Sequence, residues 1–291
     1  ICTLVVVIYT YIGGMWAVSV TDSVQTVMIL GGLLFLAWIM LREVGGMEVV
    51  LANTDENTFR FLPPPDLDSI VHYIAAWVTI GLGSMNDPYM PLETETRLTR
   101  QALEVIAEFR FPVHLITKSD RVLRDIDILT RIAQTYASVS FTITTADDEL
   151  AGKVEPGAPR PSARLAAIEA LTEAGIQTGV TMMPILPFIE DTEENIASIV
   201  KKASVAGATY ILPWMGMSLR DRQRAYYYAQ LDRHFPGLRA RYERTYGERY
   251  HCDSPKADRL YRYFEAQCKE AGILMSIPPY ELQTAEQLSL F

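Results

Sequence analysis

From about residue 86 onward, short apolar segments alternate with longer segments whose apolar residues recur every three to four positions. The short segments are typical of buried strands and the longer ones of surface helices. Their alternation predicts a parallel sheet with helical crossovers, either a barrel or an open α/β sheet. The predicted strands are residues 79–84, 112–117, 139–144, 177–183 and 209–212, and the predicted helices are residues 98–109, 126–137, 162–174, 193–206, 219–234 and 258–271.

The first 41 residues have a different character. Residues 1–20 and 24–41 contain no charged side chain, and Thr21-Asp22 separates the two runs. A bilayer-spanning helix needs ~20 apolar residues, so these runs predict hydrophobic, transmembrane-like helices. The alternative is a buried core helix of a soluble protein. If this segment is a genuine part of the protein, we expect residues 1–85 to attach it to a membrane.

Cysteine usage and net charge limit the remaining possibilities. The three cysteines, Cys2, Cys252 and Cys268, are widely spaced, which argues against a disulfide framework and favours a reducing compartment. We therefore expect residues 86–291 to be cytoplasmic. A net charge of −9 argues against nucleic-acid binding by bulk charge, although a local basic groove stays open. Because the sequence opens at Ile1 without an initiator Met, we expect a fragment.

Two stretches of the front part carry a family resemblance. YTYIGGMWAVSVTDSVQ at residues 9–25 and WVTIGLGSM at residues 77–85 resemble the sodium/solute symporter family. The resemblance stops where Asn86-Asp87-Pro88-Tyr89 follows. Residues 1–85 are therefore expected to be a symporter-like fragment. The family's sodium ligands lie on helices outside this stretch, so the resemblance implies no ion site here.

The back part resembles another family. The resemblance is carried by GSMNDPYMPLE at residues 83–93, ITKSDRVLRDIDIL at 116–129, SFTITTADDEL at 140–150, MPILPFIED at 183–191 and YHCDSPKADRLYRYF at 250–264. It resembles the spore photoproduct lyase-like, "DNA repair photolyase" branch of the radical S-adenosylmethionine (SAM) superfamily. This implies a partial (βα) TIM-like barrel over residues 86–280, SAM as cofactor, a [4Fe-4S] cluster, and radical chemistry on a DNA lesion.

The cluster is the point at which the sequence departs from that family. Its members hold three irons with a CxxxCxxC loop after the first strand, and residues 1–291 contain no such spacing. We therefore expect a barrel without its first strand, no metal site and no turnover. The symporter-like segment stands where the loop would be, and both families share something close to Gly83-Ser84-Met85, so a chimera is the simplest explanation. The alternatives are a symporter membrane fragment, and a binding module that keeps affinity for SAM or a partner.

The resemblance implies that SAM lies along the carboxyl ends of the strands. Asp87, Tyr89 and Glu93 follow the strand at 79–84, where the superfamily recognises the methionine amino group. Lys118 could bind the carboxylate, and the hydroxyls of Thr117 and Ser119 could bind the ribose. The further cofactor candidates are Thr142, Thr144 and Thr145 after the next strand, Glu155 and Arg164 as a polar clamp, and Pro184 for adenine stacking. The alternative is that these residues are strand-end caps, and no catalytic residue is assigned.

Weaker signals lie outside this set. Tyr226-Tyr227-Tyr228 with Arg220, Arg222 and Arg224 could stack and pair with nucleic acid. An amphipathic helix that packs its tyrosines and solvates its basic face is favoured instead. His114 is expected to be a hydrogen-bonded core residue.

The C-terminal pentapeptide resembles the motif by which bacterial repair and replication proteins dock on the sliding clamp. Residues 281–291 are expected to be a flexible tail that offers apolar anchors to a groove. The predicted clamp-binding residues are Gln287, Leu288, Ser289, Leu290 and Phe291.

Overall fold

The structure is a computed structural model that describes Arg42 and residues 79–84 and 86–280. The chain divides into two compact units, Ile1–Pro64 and Pro65–Phe291, and apart from Arg42 the described residues belong to the second. The two charge-free runs of the front segment and the C-terminal pentapeptide lie outside the described residues. Within the described ranges, no helix has the length and apolar composition needed to cross a membrane.

Five parallel strands form the sheet of the second unit, and their order in space is their order in the chain. A single parallel bridge between Tyr210 and Leu274 extends the sheet beyond its last strand. A strand order in space that follows the order in the chain is typical of a barrel wall rather than of a doubly wound sheet. The parallel arrangement brings the carboxyl ends of all five strands to one edge of the sheet. The strands are β1 (Ile80–Leu82), β2 (Val113–Thr117), β3 (Ala137–Thr142), β4 (Gln177–Met182) and β5 (Tyr210–Pro213).

Helices connect these strands, and a small antiparallel hairpin follows β5. A 3₁₀ helix, Asp120–Asp125, follows β2. The hairpin consists of β6 (Gly216–Ser218) and β7 (His251–Asp253). The helices are α1 (Glu93–Thr96), α2 (Leu98–Glu108), α3 (Ile126–Ala133), α4 (Asp148–Val154), α5 (Pro161–Glu173), α6 (Glu193–Val205), α7 (Asp221–His234), α8 (Leu238–Tyr246) and α9 (Ala257–Ala271).

The predicted strands and most predicted helices are confirmed, with one clear error. The helix predicted to reach residue 137 ends at Ala133. Thr135 N–H donates to the carbonyl of Ile132, which closes a turn, and the carbonyl of Tyr136 accepts from Val113 N–H of β2. The backbone that helical periodicity assigned to the end of α3 therefore hydrogen-bonds to the sheet instead. The hairpin, α1, α4, α8 and the 3₁₀ helix were not predicted.

The two faces of the sheet differ in polarity. Val139 and Phe141 of β3 are fully buried in the apolar core, as are Val180 and Met182 of β4. Because side chains alternate along a strand, the intervening residues line the other face. That face is polar: the Tyr210 hydroxyl lies 2.8 Å from Ser138 Oγ and 2.6 Å from Ser140 Oγ, and Ser140 Oγ lies 2.8 Å from His114 Nε2. His114 is thus hydrogen-bonded, and burial lowers its pKa.

Candidate functional site

The carboxyl ends of β1 and β2 are joined by Asp87. Its Oδ1 accepts from Thr117 Oγ1 at 2.6 Å and from Tyr89 N–H at 2.9 Å, while its Oδ2 accepts from Lys118 N–H at 2.7 Å. Thr117 Oγ1 also accepts from Ser119 N–H at 2.9 Å. Asp87 therefore fixes the exit of β2 with two hydrogen bonds and places a negative charge at the strand ends.

Tyr89 and Glu93 belong to a buried ion cluster beside this edge. The Tyr89 hydroxyl donates to Asp125 Oδ2 at 3.0 Å, and burial raises the pKa of this phenol. Arg124 Nη2 donates to Glu93 Oε1 at 2.9 Å and to Asp125 Oδ2 at 2.7 Å. Burial opposes ionisation of Glu93, but hydrogen bonds from Arg124 and from a backbone N–H outweigh it and lower the pKa. Both predicted ligand residues are thus held by protein partners.

A chain of alternating charges runs from the end of β2 to α5. Lys118 Nζ lies 2.9 Å from Glu155 Oε1, and Arg164 Nη2 lies 2.7 Å from Glu155 Oε2. Arg164 also donates to the carbonyl of Thr142 at 2.6 Å, so this chain holds the end of β3. The Lys118 side chain is 40% exposed, whereas the Arg164 side chain is 1% exposed. Lys118 can therefore turn toward a ligand, and Arg164 positions Glu155.

The threonines after β3 hold the neighbouring loops. Thr142 Oγ1 and Thr181 Oγ1 lie 2.9 Å apart across β3 and β4. Thr144 Oγ1 donates to Glu190 Oε1 at 2.8 Å. Thr145 Oγ1 accepts from the N–H of Asp147, whose carboxylate caps α4. The threonine set is brought together at the strand ends, as the sequence predicted.

Two residues of the loop and helix after β4 complete this edge, and sequence reasoning missed both. Glu190 is fully buried, and its Oε2 accepts from Leu186 N–H at 2.9 Å. Desolvation raises the pKa of Glu190 to about 7. Asn195 Nδ2 donates to the carbonyls of Thr144 at 2.9 Å and of Glu190 at 3.0 Å. Together, Glu190 and Asn195 connect the loop after β3 to the loop after β4 by hydrogen bonds.

Pro184 lies where the sequence placed it, directly after β4. The Met183–Pro184 peptide is cis, and Ile185 N–H donates to the carbonyl of Trp214 at 3.1 Å. Pro184 is half-buried, so part of its ring surface remains open. It supplies an apolar surface beside the polar groups at the ends of β3 and β4.

Taken together, the strand ends present a partly exposed cation, anchored anions, hydroxyls and an apolar ring. The cation and anions, Lys118 with Glu155 and Asp87, suit a zwitterionic amino acid group, and hydroxyls suit a sugar. The donor set of this edge therefore fits SAM.

The described residues do not fit an iron–sulfur cluster, which needs at least three thiolates. They contain no group of three or more His, Cys, Asp or Glu that could hold a metal ion. Cys252 lies on β7 and Cys268 on α9, and both are buried and free. Desolvation raises the pKa of Cys268 to about 12, which keeps it as a thiol.

The aromatic and basic stretch of α7 is partly committed to packing, so the amphipathic-helix interpretation holds for Tyr227 and Tyr228 but not for the buried Arg224 or the exposed Tyr226. The Tyr227 hydroxyl donates to the Tyr242 hydroxyl at 2.9 Å, and Tyr228 is buried. Arg224 is also buried and donates to the carbonyl of Gly247 at 2.7 Å. These three side chains are therefore not presented to nucleic acid. Tyr226 is exposed, as are Arg220 and Arg222.

The sodium:solute symporter family model matches residues 1–91. This confirms the symporter resemblance of the front segment, although the match ends at residue 91 rather than 85. Nearly all of the matched residues lie outside the described part of the chain.

The curated relatives resemble about half of the chain. An uncharacterised protein of Mycobacterium bovis is 32% identical over 169 residues, which are 58% of this chain and 49% of that protein. One of Methanocaldococcus jannaschii is 34% identical over 114 residues, covering 39% of this chain and 43% of that protein. A radical SAM Nα-GlyT isomerase of Pseudomonas phage M6 is 26% identical, covering 44% of this chain and 26% of that protein. The chain spans about half the length of the first of these relatives.

The solved structures that match are of spore photoproduct lyase. A mutant with bound AdoMet (SAM) and dinucleoside spore photoproduct has a TM-score of 0.53 and 16% identity, covering 73% of this chain and 67% of that chain. A second mutant has a TM-score of 0.51 and 15% identity, with the same coverage. Residues 79–84 and 86–280 therefore have the α/β fold of spore photoproduct lyase.

Proposed function

We propose that residues 86–280 bind SAM at the carboxyl edge of their five-stranded sheet, as the barrel of a radical SAM enzyme of the DNA-repair-photolyase type. The observation that carries this proposal is the charge chain Lys118–Glu155–Arg164 at the strand ends. Its exposed end is a cation beside an anchored anion, which suits the amino and carboxylate groups of an amino acid. Similarity in fold to a lyase solved with AdoMet supports the same ligand.

The residues of this edge have separate tasks in the proposal. Lys118 turns from Glu155 to the ligand carboxylate, and Glu155 and Asp87 then face its ammonium group. The threonines after β3 bind the ribose, and Pro184 packs on adenine. In an intact enzyme of this type, an iron–sulfur cluster would supply the electron that cleaves the sulfonium of SAM to methionine and a deoxyadenosyl radical. The residues of this edge would hold and orient SAM.

We propose further that this chain binds SAM without turning it over. The described residues do not fit the cluster, and residues 1–291 contain no CxxxCxxC spacing. A DNA base lesion is the proposed substrate of the intact enzyme type, on the strength of the family resemblance. Buried free thiols at Cys252 and Cys268 support a reducing compartment, so we propose a cytoplasmic location for residues 86–291.

A second function applies to the front segment. The family-model match over residues 1–91 supports a sodium/solute symporter fragment, and with it membrane association of this segment. We propose that the chain is a chimera of the two families. The tail adds a partner: residues Gln287 to Phe291 are proposed to dock on the bacterial sliding clamp.

Calorimetric titration of the full chain with SAM tests the main proposal. We expect binding, and Lys118→Met should weaken it about tenfold because a charge-assisted bond to the carboxylate is lost. Lys153→Met is the matched control, since Lys153 also pairs with a glutamate and its side chain is 44% exposed on α4. Absence of SAM binding, or equal losses in the two variants, would overturn the proposal.

A further inference from the structure

Glu190 is a fully buried carboxyl group whose oxygens are held by neutral donors. Oε1 accepts from the Thr144 hydroxyl and Oε2 from Leu186 N–H. Its own carbonyl accepts from Asn195 Nδ2. The carboxylate thus bridges the loop after β3 and the loop before α6, both of which border the strand-end site. Neutral donors compensate a buried negative charge only in part.

Charged and titratable groups reach Glu190 from three directions. Lys118 at the end of β2 stabilises the carboxylate and Glu155 after α4 opposes it, but these two are paired with each other at 2.9 Å. Tyr227 faces it from α7 and also hydrogen-bonds Tyr242. The neighbouring Asp191 accepts from Ser254 Oγ at 2.5 Å. Desolvation therefore dominates, and the carboxyl holds its proton up to a pH of about 7.

Ionisation changes what this group does to the loops. The carboxylate accepts from Thr144 and Leu186 together, whereas in the protonated acid one of the two oxygens carries a proton and acts as a donor. Ionisation therefore changes the hydrogen bond to one of the two loops, while burial of the charge costs folding free energy. Lys118 and Glu155 already shift the pKa of Glu190. A positive charge on a ligand bound near them would therefore lower this pKa and favour the ionised form.

From this arrangement we propose that Glu190 is a charge-sensing positioning residue: it ionises when a sulfonium ligand binds and thereby favours SAM over the uncharged thioether S-adenosylhomocysteine. The inference rests on the proposed function, because it takes SAM as the ligand of the strand ends. SAM and S-adenosylhomocysteine differ by one methyl group and one positive charge. Their comparison isolates the charge to which Glu190 responds.

Calorimetry of the full chain in two buffers of different ionisation enthalpy measures protons released on binding. If the ligand lowers the pKa of Glu190 by about one unit, SAM at pH 7 should release about 0.4 proton more than S-adenosylhomocysteine. The preference for SAM should rise about fivefold between pH 6 and pH 8. Glu190→Gln should abolish the extra release and flatten the preference, while Glu149→Gln, an exposed position on α4, should leave both unchanged.

Thr144→Val provides a second variant if Glu190→Gln does not fold. Loss of a donor to the carboxylate should move the midpoint of the pH-dependent preference upward. SAM binding with a proton release equal to that of S-adenosylhomocysteine, or unchanged in Glu190→Gln, would overturn the inference and leave the proposed function intact. Failure of both ligands to bind would overturn the proposed function itself.

Discussion

The guanidinium of Arg164, on a side chain that is 1% exposed, lies 2.7 Å from the carboxylate of Glu155. Arg164 also donates to the carbonyls of Pro159 at 2.8 Å and Thr142 at 2.6 Å. One buried cation therefore ties the end of β3, the loop before α5 and the acidic partner of Lys118. It gives the strand-end site a rigid base on which the more exposed Lys118 can move.

Loss of the acidic partner should destabilise the fold because it leaves this cation buried without its counter-charge. Glu155→Gln should lower the free energy of unfolding by about 3 kcal/mol, as is typical when one member of a buried ion pair is removed. Lys118→Met should cost under about 1 kcal/mol, since its side chain is 40% exposed and solvent screens the ion pair. Urea denaturation measures both. Equal losses of unfolding free energy in the two variants would contradict the proposal that Glu155 anchors the fold while Lys118 contacts the ligand.

The stability of the chain should depend on pH through Glu190. Desolvation raises the pKa of Glu190 from 4.5 to about 7, so the folded state holds the proton more tightly than the unfolded state. Its stabilising contribution is present below pH 4.5 and is lost as the pH rises through 7. Relative to Glu190→Gln, the unmodified chain should lose about 3 kcal/mol between pH 4.5 and pH 8. Denaturation curves at several pH values test this, and a constant difference between the two chains would refute it.

The alternation of short apolar segments with amphipathic ones was enough to predict the sheet, and the structure places the apolar and polar side chains of β3 on opposite faces. Val139 and Phe141 face the helices while Ser138 and Ser140 face Tyr210. The three-residue strands β6 and β7 are too short to show such a pattern. These two strands pair with each other although α7 and α8 separate them in the chain, and periodicity does not predict such a contact.

The missed site residues have a different cause. Glu190 meets Thr144 across 46 positions of the chain, and Asn195 meets the carbonyl of Thr144 across 51. A glutamate in a loop resembles a surface residue until the fold buries it. The predicted candidates were easier to recognise in the sequence, because Asp87, Lys118 and Thr142 each follow or end a predicted strand. Local order in the sequence predicted which side chains lie at the strand ends, and tertiary packing determined how the carboxyl groups there are held.

Asp87 should control the backbone at the exit of β2. In Asp87→Asn, an amide nitrogen replaces one of the two acceptor oxygens and cannot accept from Lys118 N–H or Thr117 Oγ1. We expect faster hydrogen exchange at the Lys118 amide and a loss of about 1–3 kcal/mol in stability. Asp120→Asn, at an exposed position in the following 3₁₀ helix, is the control and should leave this amide protected. Unchanged exchange in Asp87→Asn would show that Asp87 does not hold this strand end.

The tail makes a prediction independent of the SAM site. If Leu288, Leu290 and Phe291 anchor in a groove of the sliding clamp, Phe291→Ala and Leu290→Ala should each weaken binding at least about tenfold, because a buried apolar side chain contributes about 1.5–3 kcal/mol. Thr284→Ala, between the barrel and the pentapeptide, should have no effect. Surface plasmon resonance with immobilised bacterial clamp measures all three variants. Because the barrel is unchanged in each, SAM binding should be the same in all of them. Clamp affinity that is insensitive to Leu290 and Phe291 would mean that the pentapeptide is a plain apolar tail.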